Sequence, residues 1–169
     1  MQTTHKIPGG SATRYAHYLT SSATRGDYYT TDGDPDQPVP SRWHGSPTLL
    51  RSLGLDPEAP VERSDLRTVM QGHSPRSEEP LRPVGADGTR VAGIELMLAP
   101  PKTVSALWAT ASPYHRAQLE AAHQRAVASA LERTVREVDL VRRKSGGVVR
   151  FERAKSLMGA EFVHTSSRL

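Results

Sequence analysis

Apolar residues along this chain are sparse and clustered, and their spacing separates a loop-rich first half from a more regular second half. The first residues are polar up to a Gly9-Gly10 break. From Ser11 to Thr20, Tyr15, Tyr18 and Leu19 then recur at helical spacing on one face, which predicts a short helix. Asp32 to Pro47 is rich in Pro, Gly and Asp and reads as a long loop, because such a composition buries too little apolar surface to hold a regular element. Leu49, Leu50, Leu53 and Leu55 after Ser46-Pro47 predict a second brief helix. Ser64 is a candidate N-cap for a third, Asp65 to Gln71, with Gly72 as its terminator. His73 to Gly88 reads as a polar linker.

Regularity increases beyond it. Val91 to Leu98 is the strongest strand pattern, and Pro100-Pro101 both stops it and sets a proline at the start of a helix from Lys102 to Ala111. Ser112-Pro113 opens the longest helix, roughly Tyr114 to Glu137. Leu119, Ala122, Ala126, Ala130, Leu131, Val135 and Val138 form a narrow, Ala-rich stripe suited to close packing on a sheet. Asp139 to Arg143 and Val148 to Arg153 flank Ser145-Gly146-Gly147 and predict a β-hairpin, and Leu157 to His164 reads as a last strand. The pattern is that of one α+β domain over 1–169, with a tyrosine-bearing segment (1–31), a loop-rich region with short helices (32–90) and a strand-helix-helix-hairpin-strand core (91–169).

Composition narrows the function. With 169 residues, 36% hydrophobic and 5% aromatic, the buried area is limited. The absence of cysteine excludes a disulfide scaffold, a Cys-ligated zinc site and a thiol nucleophile. No basic-apolar leader opens the chain, and the longest apolar stretch, Val91 to Pro101, contains Glu95 and falls far short of a membrane span, so a cytoplasmic location without membrane insertion is expected. A net charge of +4 favours anionic partners, nucleic acid first among them. Apart from Lys6, Lys102, Lys144 and Lys155 the basic residues are arginines, the side chain shaped for bidentate phosphate contact; a GC-rich genome would produce the same bias.

Four features could carry chemistry. A tyrosine phenolate can attack a phosphodiester reversibly, so Tyr15 and Tyr18, and the pair Tyr28-Tyr29, are candidate nucleophiles, although rings at a helix face also serve simply as packing. Lys102, at a strand-to-helix corner, could add its ammonium to the helix N-terminus and bind a phosphate. Arg142, Arg143, Lys144, Arg150, Arg153 and Lys155 surround the hairpin against Asp139 and Glu152, a density suited to a ribbon lying along a nucleic-acid backbone or to an ordinary solvated hairpin. His164 shares its strand face with Phe162 and reads as a core histidine or a ligand; no H-x-H or H-E-x-x-H spacing completes a metal site.

In order along the chain, these segments resemble the N-terminal relaxase domain of the TrwC/TraI-like (MobF) conjugative relaxases, which are HUH endonucleases. The resemblance rests on Tyr15 and Tyr18, Asp27-Tyr28-Tyr29, Thr31-Asp32-Gly33-Asp34, and Arg42-Trp43-His44-Gly45 followed by Leu53-Gly54-Leu55. It continues through Gly93-Ile94-Glu95-Leu96-Met97-Leu98-Ala99-Pro100-Pro101-Lys102-Thr103-Val104-Ser105, the most specific piece, then Ala122-His123-Gln124-Arg125-Ala126-Val127, the basic hairpin, and Phe162 to Arg168.

The resemblance implies an HUH-type antiparallel sheet packed on a long helix. It also implies a strand transferase that nicks origin-of-transfer DNA through a phosphotyrosyl intermediate, acting on single-stranded DNA with conjugation accessory proteins as possible partners. The attacking residue would be Tyr18 or Tyr15, with Tyr28 or Tyr29 as the second tyrosine. His164 would match the first of three histidines holding Mg²⁺ or Mn²⁺, and Glu95 would stand where the family has an Asp that orients a metal histidine. The family's D-P-x-L-H-x-H run, which supplies the other two histidines, has no counterpart in these residues. The expectation is therefore an incomplete sheet, an exposed apolar face and negligible nicking by this polypeptide alone, or else a non-catalytic single-stranded DNA-binding or regulatory remnant.

Overall fold

A computed structural model describes residues 2–20, 40–77, 79–81, 91–137, 140–153 and 157–163, with backbone alone for Gln2 and 140–145. Strand β1 (Gln2–Pro8) leads through a 3₁₀ turn (Gly9–Ser11) into helix α1 (Ala12–Thr20), followed by β2 (Ser41–His44), α2 (Pro47–Ser52) and α3 (Arg63–Met70). Strand β3 (Val91–Leu98), helices α4 (Lys102–Thr110) and α5 (Pro113–Glu137), and strands β4 (Leu140–Ser145), β5 (Val148–Arg153) and β6 (Gly159–Phe162) complete the order. The strands pair as β1–β3, β2–β6 and β4–β5, the last two antiparallel. The α+β class expected from the pattern is the class observed.

The chain divides into two compact units, 6–94 with 157–169 and 1–5 with 95–156, so that the division falls within β1 and β3. The first unit contains the core. Ile7, Ala12, Ala16, Trp43, Leu50, Leu55, Val61, Leu66 and Met70 are buried together, with Leu50 the largest fully buried side chain. Ser46 caps α2, its Oγ accepting from the Leu49 amide at 3.2 Å, and Pro47 occupies the first turn. Gly54 ends the element at φ +80°, and a Cβ there would lie 2.9 Å from the Arg76 Cβ, so both backbone angle and space require glycine. Helices α1 and α3 are joined by Arg63 Nε donating to Thr20 Oγ1 at 2.8 Å and Gln71 Nε2 donating to Thr13 Oγ1 at 3.3 Å.

Strand β6 returns to β2 across more than a hundred residues of sequence, pairing Trp43 with Ala160 and Arg42 with Glu161. On this pair, Arg42 Nε lies 2.8 Å and His44 Nε2 2.5 Å from the same Glu161 carboxylate oxygen. Burial opposes ionisation of Glu161 more strongly than any other single effect. The hydrogen bonds from His44 and Arg42, with the positive charge beside them, together outweigh it and hold the carboxyl below its ordinary range.

The second unit is built differently. Proline 101 precedes α4, and Ser112 accepts from the His115 amide at 3.4 Å at the start of α5. Trp108 Nε1 donates to Glu120 Oε1 at 2.8 Å, and the Arg116 guanidinium stacks 4.8 Å from the Trp108 ring centre, fastening α4 to α5. Among the residues whose burial is described, none in this unit is buried.

Several elements differ from the sequence expectation. The polar N-terminus forms β1, whose Thr-rich run carries a single inward anchor, Ile7, and gains its regularity from pairing with β3. Within the expected loop 32–47, Ser41–His44 forms β2, because β6 supplies a partner that local composition does not reveal. Helix α3 begins at Arg63, with Glu62 rather than Ser64 at the cap position and no side-chain cap bond. In the expected linker, Ser74 is buried and its amide donates to the Glu79 carbonyl at 2.8 Å. The last strand is shorter than expected, and His164 lies outside the described residues. On α5 the half-buried face passes through Arg116, His123, Val127, Ala130 and Thr134, leaving Ala122, Ala126 and Val135 exposed.

Replacing Leu50 by Ala should cost about 3 kcal/mol in denaturant unfolding, since the fully buried site cannot collapse completely. Because Glu161 has its folded pKa depressed, its contribution is present above the unfolded value near 4.5 and lost as pH falls through the folded value. Glu161→Gln should cost about 1 kcal/mol at neutral pH and flatten the acid limb of the stability profile below that value, as measured by urea unfolding across pH.

Candidate functional site

Helix α1 presents two of the candidate tyrosines. Ala12 and Ala16, one turn apart, bring the helix close to the core, and Tyr15 and Leu19 pack half-buried beside them. Tyr18 lies at the edge of that face and is 40% exposed, its ring centre 5.6 Å from that of Tyr15 with planes tilted by 52°. The shared helical spacing thus brings the two phenols together but leaves them with different solvent access.

In the same unit an open cleft of about 420 Å³ is lined by Thr20, Ser41, Val61, Glu62, Arg63 and Phe162, among others. Thr20, at the end of α1, holds the Arg63 side chain in this cleft. Asp65, in the first turn of α3, has its carboxyl raised above the ordinary value, chiefly by burial and further by the neighbouring Glu62 charge. Thr20, Ser41 and Phe162 adjoin in sequence the stretches that carry Tyr28, Tyr29 and His164, and those three residues lie outside the described ones. The Arg42–Glu161–His44 cluster on the β2–β6 pair is a titratable group that sequence reasoning did not find, since Glu161 meets Arg42 and His44 only through strand pairing.

The remaining candidates belong to the other unit. Glu95 is half-buried on β3, and Lys102 is exposed as the first residue of α4, where the Pro101 carbonyl accepts from the Val104 and Ser105 amides at 2.9 and 3.2 Å. The β4–β5 hairpin turns at Gly146 and Gly147, with φ of +56° and +80°, as a two-residue turn with both central angles positive demands. Its register sets Arg143 opposite Arg150, Arg142 opposite Phe151, and Lys144 opposite Val149. One face of the ribbon therefore carries the positions of Arg142, Lys144 and Arg153 interleaved with Val149 and Phe151. Every β5 residue is exposed, and Phe151 is 67% exposed.

Among the described residues no three His, Asp or Glu side chains converge to hold a metal ion, so these residues do not by themselves form a cage for the Mg²⁺ or Mn²⁺ that the resemblance implies. Nor is any described helix long and apolar enough to cross a membrane.

Comparison with known proteins places this architecture. The family model of the TrwC relaxase matches residues 12–169. Among solved structures, the conjugative relaxase TrwC in complex with oriT DNA matches in a copper-bound form at 28% identity and a TM-score of 0.66, over 96% of this chain and 50% of that one. A metal-bound form of the same complex matches at 26% identity and a TM-score of 0.66, with the same coverage. A metal-free form matches at 27% identity and a TM-score of 0.71, over 99% and 52%. The chain thus spans about half the length of the relaxase structures it resembles. No protein of curated function matches it. With a family model covering nearly the whole sequence and the fold shared with these structures, the chain belongs to the TrwC relaxase family.

Proposed function

We propose that this chain is the part of a conjugative relaxase that grips single-stranded origin-of-transfer DNA and carries the attacking tyrosine. Beyond family membership, the observation that carries the reading is the β4–β5 ribbon. Its cationic positions suit the phosphates of a strand, and the exposed Phe151 offers a ring on which a base can stack. Lys102 adds a cation at the start of α4, and Arg150 one on the opposite ribbon face with Arg143. The relaxases it resembles were solved with oriT DNA.

Of the two phenols on α1, Tyr18 is the better nucleophile by access, since Tyr15 packs against the core. The Tyr18 oxygen, having given up its proton, attacks the scissile phosphorus. A phosphorus–oxygen bond to tyrosine forms as the bond to the 3′ oxygen breaks. That oxygen takes up a proton, and the 5′ phosphate stays on the protein until the reverse reaction reseals the strand. Tyr28 or Tyr29 serves the second transfer. His164 would be one ligand of a divalent metal that neutralises the scissile phosphate, and Glu95 would take the place of the aspartate that orients a metal histidine. Of the family's three metal histidines these residues match one, His164, and metal-assisted cleavage requires the set of three.

Binding of an origin oligonucleotide should weaken steeply with salt. Changing Arg142, Arg143 and Lys144 together to Ala should lower the slope of log affinity against log salt by about 2. Phe151→Ala should cost about 1 kcal/mol with that slope unchanged. Unchanged affinity in both variants would remove the ribbon from the interface. With Mn²⁺ and the same oligonucleotide, denaturing gels should show no covalent adduct; one abolished by Tyr18→Phe but kept in Tyr15→Phe would uphold the nucleophile and refute the inactivity.

A further inference from the structure

We propose that the cleft at the end of α1 is a base-reading subsite that takes one unstacked guanine of a single strand, with Arg63 and Glu62 reading its edges and Phe162 stacking on its ring. The inference rests on the reading of the chain as a binder of single-stranded DNA. It adds a sequence-selecting contact on residues other than those of the β4–β5 ribbon.

The side chain of Arg63 is aimed rather than merely exposed. Its Nε donates to Thr20 Oγ1 at 2.8 Å, while the Thr20 hydroxyl donates its own proton to the Ala16 carbonyl at 2.9 Å. The last residue of α1 thus fixes the guanidinium through its inner nitrogen and leaves the fork of terminal nitrogens to the cleft. Among the described residues Arg63 forms no ion pair, although Glu62 stands beside it in the same wall. The cleft is also firmly built. Ser41 Oγ accepts from the Val61 amide at 3.1 Å, which ties β2 to the segment before α3. Phe162, opposite Ser41 in the strand register, is half-buried against the core, and its exposed part lines the cleft. The volume of about 420 Å³ falls in the range of clefts that hold a small ligand.

Charge selects the class of ligand. Glu62 is an acceptor only, and its charge reaches Asp65, whose carboxyl is raised chiefly by burial and further by Glu62. A phosphate beside Arg63 would meet both carboxylates, so the cleft disfavours the backbone of a strand. It suits instead a neutral ring with two acceptors on one edge and two donors on the next. Guanine has that pattern: O6 and N7 accept from the arginine fork, and N1–H and the 2-amino group donate to the Glu62 carboxylate. Adenine and cytosine carry an amino donor where guanine has O6, and thymine lacks the N7 acceptor. An aromatic ring beside such a pair adds stacking that any base can use, so the ring holds the base and the two side chains choose it.

The probe is an oligothymidylate carrying one central dG, compared with the same strand carrying dA, dC or dT at that place. Binding is followed by fluorescence anisotropy and contact by hydrogen exchange. The dG strand should bind about tenfold tighter than the others, with slowed exchange over 61–64 and 159–162. Replacing dG by 7-deazaguanine, which lacks the N7 acceptor, should remove most of that gain. Arg63→Lys keeps the charge without the fork, and should bind the dG and 7-deazaguanine strands alike. Glu62→Gln should lower the preference for dG while binding the all-thymidine strand no more weakly. Both positions are exposed, and thermal unfolding of each variant checks that the fold is kept. Equal affinity for the four strands, preference for another base, or a dG preference that survives both variants would each overturn the subsite. Salt-dependent binding without base preference rejects the subsite alone, whereas loss of binding to every strand rejects the relaxase reading.

Discussion

Pairing of Ser41–His44 with Gly159–Phe162 is the interaction on which the well-packed part of the molecule depends. It closes a loop of more than a hundred residues, an entropic cost that local structure cannot offset. Burial of Trp43 beside Ala160, and of Leu50, Leu55 and Val61 beneath, supplies the apolar return, while the shared Glu161 oxygen joins Arg42 and His44 across the pair. The same pairing sets Ser41 and Phe162 in the wall of one cleft with Thr20, at the end of the tyrosine-bearing helix. Core and candidate site thus share a single long-range constraint.

The two units divide the labour of the chain by composition. One concentrates leucines in short, capped helices around a buried tryptophan. In the other, the long helix α5 is rich in alanine, which favours helix formation but contributes little buried area per residue. Helix α5 is accordingly regular and long without being buried. A ribbon whose proposed partner is a polyanion can stay solvated, because its cationic positions need no apolar cover, and every residue of β5 is accordingly exposed.

Strand transfer by tyrosine needs an accessible phenol, a neutralised phosphate and a held strand. The geometry bears on the first and third. Tyr15 and Tyr18 share a helix face and a ring contact, yet packing draws Tyr15 into the core and leaves Tyr18 at its edge. Gly146 and Gly147 permit the tight turn that extends the basic ribbon, and its register interleaves cationic positions with Val149 and Phe151.

Local physics made much of this legible from residue order alone. Helical spacing at Tyr15 and Leu19, the Ser46-Pro47 start, the Pro-Pro corner before Lys102 and the double-glycine hairpin each act within a few residues, so α1, α2, β3, α4, α5 and the β4–β5 ribbon could be read directly, as could the relaxase family through its ordered motifs. Strands β1 and β2 could not, for they are short or polar and owe their regularity to partners remote in the chain. The same holds for the Glu161 cluster and for the difference in exposure between Tyr15 and Tyr18. Motif and period specify which side chains are present and which local shape they take; only tertiary packing decides which carboxylate meets which guanidinium, which phenol faces water and which helix face stays uncovered, because those outcomes depend on contacts between segments whose separation along the chain carries no local signal.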